Sequence, residues 1–271
     1  MAKELKIGVV GAAGRMGRML VRQASESVDC ALAGATERPG SEAIGQDAGI
    51  LAGIGEIGVA VGEDAAAMIA KVDAVIDFTA PEATVAHAEL AAQAGAAMVI
   101  GTTGLTDGHM EALRRAARHV PVVVAPNMSA GVTLLMALVE QVARTLDDAY
   151  DIEILEMHHR HKVDAPSGTA LGLGRAAAAG RKVDLDAVAR MARGGHTGAR
   201  PRGEIGFATL RGGDVVGDHT VVFAGDGERI ELTHKASSRQ VFAAGAVRAA
   251  LWTKGQKPGM YSMRDVLGLD V

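Results

Sequence analysis

In the first half of the chain, short apolar runs alternate with longer segments in which apolar residues recur at helical spacing. Strand-like runs cover residues 5–10, 30–36, 74–79, 97–102 and 121–125, and the helical segments cover residues 15–25, 82–93 and 106–119. The stretch 41–62 is rich in glycine and weakly periodic, and we interpret it as a surface excursion. Strands that alternate with helices are typical of a parallel, doubly wound sheet, so this half predicts an α/β domain.

The second half follows a different pattern. Strands are predicted over residues 151–158, 204–211, 215–223 and 229–234, and helices over residues 132–146 and 240–253. Glycine turns at 212–213 and 225–227 favour hairpins between the last three strands. This pattern indicates an inserted α+β domain with a mixed or antiparallel sheet. We therefore predict a first domain of residues 1–129 and 240–271 and a second domain of residues 130–239.

The composition excludes several classes of protein. Hydrophobic residues make up 48% of the chain and charged residues 22%, a balance typical of soluble globular proteins. A net charge of −4 argues against a nucleic-acid partner. The chain has no uninterrupted run of about 18 apolar residues, so the sequence predicts no membrane span. The single cysteine, Cys30, excludes an intramolecular disulfide, and the first residues lack a signal-peptide pattern. We expect a cytoplasmic protein.

A glycine-rich turn follows the first strand. Gly11, Gly14 and Gly17 form a G-x-x-G-x-x-G pattern that opens a helix, and small residues there let the backbone approach a pyrophosphate at the helix N-terminus. An acidic residue, Glu37, ends the next strand, as in Rossmann-type domains that bind dinucleotides. The candidate cofactor loop comprises Gly11, Ala12, Ala13, Gly14, Arg15 and Met16.

The residues after the second strand bear on the choice of cofactor. Glu37 suits the ribose diol of NADH, whereas Arg38, helped by Arg15, suits the 2′-phosphate of NADPH. An acid and a base side by side indicate that either NADH or NADPH is accepted.

Two further turns follow predicted strands and are candidates for holding the nicotinamide ring. Ligands of open α/β sheets bind beyond the carboxyl ends of the strands. Phe78 and Thr79 share that edge. The candidate residues in the two turns are Gly101, Thr102 and Thr103, and Ala125, Pro126, Asn127 and Met128.

A basic segment, EMHHRHKVDAPSGT, covers residues 156–169 and admits three interpretations. The first is a zinc site built on His158 and His161 with a carboxylate from Glu156 or Asp164. The second is a solvated charged loop, and the third is a pocket for an anion. The chain has no H-E-x-x-H motif and no second cysteine, which disfavours zinc, and we predict no metal. Crowded cationic groups repel one another, which disfavours the solvated loop unless an anion binds.

The residues after this cluster favour the anion pocket. Pro166 and Ser167 are typical of a helix start, and a helix N-terminus beside Lys162 and His159 attracts carboxylates. Histidine donates a proton near neutral pH, and lysine stabilises developing negative charge. Hydride transfer to a C=N or C=C group requires both functions.

Residues 156–171, EMHHRHKVDAPSGTAL, closely resemble a motif of the bacterial dihydrodipicolinate reductases, also called 4-hydroxy-tetrahydrodipicolinate reductases. The resemblance extends over nearly the whole chain, through VGAAGRMG, DFTAPEAT, GTTG, APNMSAGV and GEIGFATLRGGDVVGDHTV. It implies a Rossmann domain made from both chain ends and an inserted domain whose sheet builds a homotetramer. It also implies NAD(P)H-dependent reduction of a cyclic dicarboxylate in the diaminopimelate branch of lysine biosynthesis.

The resemblance implies roles for individual residues. His158 resembles the proton donor and Lys162 its catalytic partner, whereas His159, Gly168 and Thr169 resemble contacts to the substrate carboxylates. It also supports the cofactor roles of the glycine loop, of residues 37–38 and of the two later turns.

Two residues stand apart from this pattern. Met128 replaces the phenylalanine of many relatives, and we expect that change to affect packing rather than chemistry. His161 receives no role.

Three other functions are compatible with parts of this pattern. Another two-domain dehydrogenase, acting on an amino or 2-oxo acid, would share the glycine turn but not the histidine-rich motif. A nicotinamide-sensing regulatory protein would not need clustered proton donors. A metal-dependent hydrolase or lyase would lose activity to a chelator.

Overall fold

The computed structural model describes residues 4–269, which fall into two compact units. The first contains residues 4–129 and 240–268, and the second contains residues 130–239. Leu269 groups with the second unit, whereas the sequence placed it in the first domain. Residues 1–3 and 270–271 of the predicted first domain lie outside the described residues.

Within the described residues, the first unit holds a seven-stranded parallel sheet. Its strands are β1 (Leu5–Val10), β2 (Cys30–Thr36), β3 (Val61–Gly62), β4 (Ala74–Asp77), β5 (Ala97–Ile100), β6 (Pro121–Val124) and β12 (Gly259–Tyr261). The order β3-β2-β1-β4-β5-β6-β12 contains the doubly wound order 3-2-1-4-5-6, so the predicted Rossmann-type sheet is confirmed. The strands β3 and β12 were missed because two or three residues carry no readable periodicity.

Helices cover both faces of this sheet because neighbouring residues of each strand point to opposite sides. On β5, Val99 belongs to a core with one set of helices, and Met98 belongs to a core with another set. The first set comprises α1 (Arg15–Glu26), α2 (Ala48–Ala52), α9 (Gln240–Trp252) and α10 (Met263–Leu267). The second comprises α3 (Ala65–Ile69), α4 (Pro81–Ala94) and α5 (Asp107–Ala116).

The stretch 41–62 is more ordered than the predicted surface excursion, because it contains α2 and β3. The Asp47 carboxylate organises it by accepting hydrogen bonds from backbone N–H groups at both ends of the loop. The donors are Gly49, Ile50, Ile57, Gly58 and Val59. Desolvation opposes ionisation of Asp47, but these N–H groups outweigh it and lower its pKa. Because hydrogen bonds to one carboxylate leave no periodic row of apolar side chains, the hydrophobic pattern did not predict α2 and β3.

The second unit holds a mixed sheet, which confirms that part of the prediction. Its strands, among the described residues, are β7 (Asp151–His158), β8 (Ala189–Arg190), β9 (Ile205–Arg211), β10 (Gly217–Gly225) and β11 (Glu228–Ala236), in the order β11-β10-β7-β9-β8. Strand β7 is parallel to β9 and antiparallel to β10. The hairpin at 226–227 is confirmed, because Gly225 and Glu228 pair directly across it.

The hairpin predicted at Gly212 and Gly213 is wrong, because β7 lies between β9 and β10. The connection after β9 crosses the end of β7 instead of folding back. Backbone hydrogen bonds hold this connection against the end of β7: the Gly212 N–H donates to the His158 carbonyl at 2.9 Å, and the His159 N–H donates to the Val215 carbonyl at 2.7 Å. A glycine pair indicates a change of direction but does not choose the neighbouring strand.

One face of this sheet is covered by helices and carries the unit's core. The helices are α6 (Ala130–Thr145), α7 (Gly168–Arg181) and α8 (Leu185–Val188). On β7, Ile152 and Ile154 pack into that core, and Glu156 and His158 continue the same buried row. Leu155 points the other way and is 40% exposed. The alternation of β7 therefore puts two ionisable side chains in a buried layer.

Among residues 4–269, we find no helix of the length and hydrophobicity needed to cross a membrane.

We predict that Gly245→Ala destabilises the protein by about 2 kcal/mol, because an added methyl group would overlap the carbonyl oxygen of Met128. The matched control is Gly108→Ala, also within a helix, where the only nearby atom is 3.8 Å away. That control should be neutral or stabilising, by about 0.5–1 kcal/mol. Thermal unfolding of both variants tests the packing of α9, and equal unfolding temperatures would contradict it.

Candidate active site

The glycine turn lies between β1 and α1, as the sequence predicted. Gly11 has a φ of 67°, a backbone conformation that favours glycine, and a side chain on Gly17 would overlap the Gly11 carbonyl. Helix α1 starts after Gly14 without a side-chain cap and without an acidic residue in its first turn. Its positive N-terminal end is therefore suited to a pyrophosphate.

Glu37 lies beside this turn and stabilises it through hydrogen bonds. Its carboxylate accepts the Ala13 N–H at 3.1 Å through one oxygen and the Arg38 N–H at 3.1 Å through the other. The side chains of Arg15 and Arg38 are exposed. The glycine turn after β1 and the predicted ribose-end residues Glu37 and Arg38 after β2 thus lie side by side at the carboxyl ends of neighbouring strands.

A cleft of about 300 Å³ lies beyond the carboxyl ends of β4, β5 and β6. Its lining residues are Met16, Phe78, Thr79, Gly101, Thr102, Thr103, Pro126, Asn127, Met128 and Phe242. These include both turns predicted for the nicotinamide ring. Ala125 does not line the cleft but packs in the core below it, and Ala12 is buried likewise. Phe242 was missed because only the return of α9 to this unit brings it there.

A buried carboxylate beneath this cleft was also missed. Asp77 is fully buried and accepts hydrogen bonds from the Thr79 N–H at 2.8 Å and the Thr79 hydroxyl at 2.6 Å. His87 Nδ1 lies 2.8 Å from its other oxygen, and the Thr102 hydroxyl lies 3.3 Å from Oδ1. Asp77 thus fixes two residues that line the cleft. The signal in the sequence was an aspartate at the end of an apolar strand, since buried carboxylates need partners.

In the second unit, the basic segment is organised around Glu156, whose side chain is 1% exposed. One oxygen accepts from His158 Nδ1 at 2.6 Å and from Arg211 at 2.8 Å. The other accepts from Arg211 at 3.0 Å and from the Ser167 N–H at 3.0 Å. Burial alone would raise the pKa of Glu156, but the bonds from Arg211, His158 and Ser167 lower it. Glu156 is therefore ionised and acts only as an acceptor.

His158 is fixed on two sides. Since the Glu156 carboxylate only accepts, Nδ1 carries the hydrogen of that bond and Nε2 is the atom left for chemistry. The His158 ring meets His219 edge-on, with 5.0 Å between ring centroids. Burial lowers the pKa of His219 to about 4, so this neighbour is neutral near pH 7. His219 Nε2 lies 3.0 Å from the Ser167 hydroxyl.

The other predicted residues of this segment lie in the loop after β7. Lys162 forms an ion pair with Asp164 at 2.8 Å, and His159 lies 3.2 Å from an Arg239 nitrogen. Desolvation, followed by the charge of Arg239, lowers the pKa of His159. The ring of His161 is 6.2 Å from that of His159. The loop therefore gathers cationic and histidine side chains, as the sequence predicted.

Helix α7 begins at Gly168, where Pro166 and Ser167 predicted a helix start. The Ser167 hydroxyl caps it by accepting the Ala170 N–H at 3.1 Å. Gly168 and Thr169 occupy its first turn, at the positive end of the helix dipole.

The predicted site residues thus form two groups, one in each unit. All of the cofactor candidates lie in the first unit, and His158, His159, Lys162, Gly168 and Thr169 lie in the second. Within residues 4–269, no group of three or more His, Cys, Asp or Glu side chains is placed to hold a metal ion.

Arg211 and His219 were not singled out from the sequence, although both lie in a quoted motif. Each reaches His158 or its carboxylate only because β9 and β10 flank β7. The sequence suggests Glu156 only as a metal ligand, and the structure instead gives it Arg211, His158 and Ser167 as partners.

The chain matches family models along most of its length. The model described as "Dihydrodipicolinate reductase, N-terminus" matches residues 5–128, and the one described as "Dihydrodipicolinate reductase, C-terminus" matches residues 131–267. The chain is 58% identical to the 4-hydroxy-tetrahydrodipicolinate reductase of Beijerinckia indica subsp. indica and 59% identical to that of Methylocella silvestris. Both comparisons extend over 266 residues and cover 98% of each chain.

Solved structures share the fold. A dipicolinate-bound dihydrodipicolinate reductase from Paenisporosarcina sp. TG-14 has a TM-score of 0.77 and 24% identity, over 97% of this chain and 99% of that one. An amine dehydrogenase from Mycobacterium smegmatis has a TM-score of 0.60 and 14% identity, over 97% and 96% of the two chains. At these identities the likeness concerns the fold alone. The family models and the two relatives that are more than half identical show that the chain belongs to the dihydrodipicolinate reductase family.

Proposed function

We propose that this protein catalyses the NAD(P)H-dependent reduction of 4-hydroxy-tetrahydrodipicolinate to tetrahydrodipicolinate, in the diaminopimelate branch of lysine biosynthesis. The family membership supports this reaction. The observation in the structure that carries it is the buried His158, held by a carboxylate and placed one loop before the start of α7. This arrangement suits an enzyme that donates a proton to its substrate and binds a carboxylate of that substrate.

The first unit is suited to the cofactor. A nicotinamide cofactor supplies the hydride when it is bound. The uncapped N-terminus of α1 would hold the pyrophosphate, and Glu37 and Arg38 would contact the ribose end. The residues that line the cleft beyond β4, β5 and β6 would hold the nicotinamide ring and exclude water.

The second unit is suited to a cyclic dicarboxylate. The first turn of α7, at Gly168 and Thr169, would bind one carboxylate together with His159. His158 would deliver the proton from Nε2, the ring nitrogen not held by Glu156. Lys162 would stabilise the negative charge that develops on the substrate as the hydride arrives. His219 is unsuited to that role, because it is neutral near pH 7.

We also propose that the outward face of the mixed sheet builds the homotetramer that the resemblance implies. Leu155 on β7 and Leu210 on β9 point to the face opposite the helices and are 40% and 47% exposed. Apolar residues exposed on neighbouring strands are typical of subunit interfaces. A cytoplasmic location stays a prediction from the sequence.

A coupled assay tests the reaction itself. Pyruvate and aspartate semialdehyde are condensed by the preceding synthase, and NADPH oxidation is followed by the nicotinamide absorbance. Turnover that depends on the synthase and survives a chelator is expected. Turnover with amino or 2-oxo acids alone would instead identify another dehydrogenase, and loss of activity with chelator would favour a metal-dependent enzyme.

We predict that His158→Ala and Lys162→Ala each lower kcat by about 10² or more, because each removes a group required at the reacting atoms. The affinity for NADPH should stay near that of the unchanged protein, since neither residue lies in the first unit. His161→Ala is the matched control from the same segment and should retain activity. Unchanged turnover in both variants would refute the assigned roles.

We predict that Arg38→Ala weakens NADPH binding by about tenfold and NADH binding much less, because only NADPH offers a 2′-phosphate to the guanidinium group. Dissociation constants from cofactor fluorescence measure this difference. Arg114→Ala, at an exposed arginine paired with Glu111, is the control. Equal losses of affinity for the two cofactors would show that Arg38 does not bind the 2′-phosphate.

We predict that Leu155→Asp and Leu210→Asp reduce the molar mass measured by light scattering from that of a tetramer to that of a smaller species. A charge on an apolar interface costs desolvation energy without a partner. Val28→Asp, at a 90% exposed valine of the first unit, should leave the mass unchanged. A monomeric unchanged protein would overturn the proposed assembly.

A further inference from the structure

We propose that Glu156 is a positioning residue for the reduction: held by Arg211, it fixes the tautomer and orientation of His158. This inference rests on the proposed function, in which His158 delivers the proton. It adds a role for two residues that the sequence did not single out for catalysis.

The first step is the satisfaction of the buried carboxylate. A buried carboxylate is costly unless it is paired and fully hydrogen-bonded. Glu156 meets both conditions, because each oxygen accepts one N–H from Arg211 and one from elsewhere: His158 on one side and Ser167 on the other. The two bonds from the planar guanidinium fix the plane of the carboxylate, which in turn fixes the direction of its bond to His158.

The second step concerns the strand register that makes this possible. Glu156 and His158 are two residues apart on β7 and therefore point to the same face. Arg211 is the residue of β9 that pairs with His158 in the sheet. Arg211 also donates to the Asp164 carbonyl at 2.6 Å, and so holds the loop that carries Lys162. One ion pair thereby orders both proposed catalytic residues.

The third step concerns the hydrogen on His158. The bond at 2.6 Å to an ionised carboxylate places a hydrogen on Nδ1. Nε2 is then the position that gains and loses the reacting proton. Gly217 on β10 keeps the space beside it open, since a Cβ there would lie 2.9 Å from Nε2. A partner that holds one imidazole nitrogen and leaves the other for chemistry is the arrangement of general acid–base dyads.

The fourth step concerns charge. The titratable and charged groups around His158 are Glu156 from β7, Arg211 from β9, His219 from β10, and His159 and Lys162 from the following loop. Arg211 balances the charge of Glu156, Asp164 pairs with Lys162, and His219 is neutral near pH 7. Glu156 is therefore the carboxylate that bonds the His158 ring directly, and its replacement removes the acceptor that holds Nδ1.

The experiment is a double-mutant cycle of Glu156→Gln and His158→Gln in the full-length enzyme. Glu156→Gln should lower kcat by about 10² in the unchanged protein and by less than about twofold in the His158→Gln background, because it acts through His158. An equal loss in both backgrounds would indicate a merely structural role and overturn the proposal.

Two further variants separate charge, geometry and folding. Arg211→Lys keeps the positive charge but loses the two-point bond, so it should lower kcat. Glu111→Gln is the control: it is another glutamate paired with an arginine, Arg114, but it is exposed and lies in the first unit. It should keep kcat. If Glu156→Gln fails to fold, shown by a lost thermal transition, Arg211→Lys carries the test, and unchanged kcat there overturns the proposal.

The ¹⁵N chemical shifts of the His158 ring separate this inference from the proposed reaction. They report the tautomer whether or not the enzyme turns over the proposed substrate. An Nδ1–H tautomer in the unchanged protein that is lost in Glu156→Gln supports the inference, and an Nε2–H tautomer in the unchanged protein overturns it. An enzyme that has the expected tautomer but no reductase activity would refute the proposed function alone.

Discussion

The arrangement of the candidate site in the second unit depends on one buried carboxylate. Glu156 lies in the row of β7 that faces the helices, where an unpaired charge would be strongly destabilising, and Arg211, His158 and Ser167 supply the donors that make it tolerable. These donors come from a neighbouring strand, the same strand and the start of α7. The requirement to satisfy one carboxylate therefore links the sheet, the basic loop and the helix N-terminus. A buried ion pair is weak support for stability in itself, and its value here is the orientation that it imposes.

The first unit uses a similar device beneath a different site. Asp77 ends an apolar strand, and its carboxylate holds Thr79 and Thr102 at the edge where ligands of doubly wound sheets bind. Glu37 braces the glycine turn through the Ala13 N–H. In both units, a carboxylate at the end of a strand fixes the backbone or side chains of the adjoining loop. The strands supply rigidity, and the loops supply the groups that would meet cofactor and substrate.

How far the sequence predicted the fold depends on the range of the interactions. The long, periodic elements were predicted nearly to their ends: β7 and β2 have the predicted bounds, and α7 starts where Pro166 and Ser167 indicated. Helix α2 and strand β3 of the stretch 41–62 were not predicted, because Asp47 organises this stretch through hydrogen bonds that leave no hydrophobic period. The hairpin at Gly212 was wrong because local turn chemistry does not specify which strand lies alongside.

By itself, the sequence determined the doubly wound class, the glycine turn, the helix start at Gly168 and the histidine-rich motif, because each is encoded within a short stretch by period, backbone conformation or residue type. Only the tertiary structure decided that β7 lies between β9 and β10, and hence that Arg211 and His219 meet Glu156 and His158. It likewise brought Phe242 to the cleft of the first unit. The physical reason is that alternation along a strand specifies which face a side chain occupies, whereas its cross-strand partners depend on pairings between segments distant in sequence.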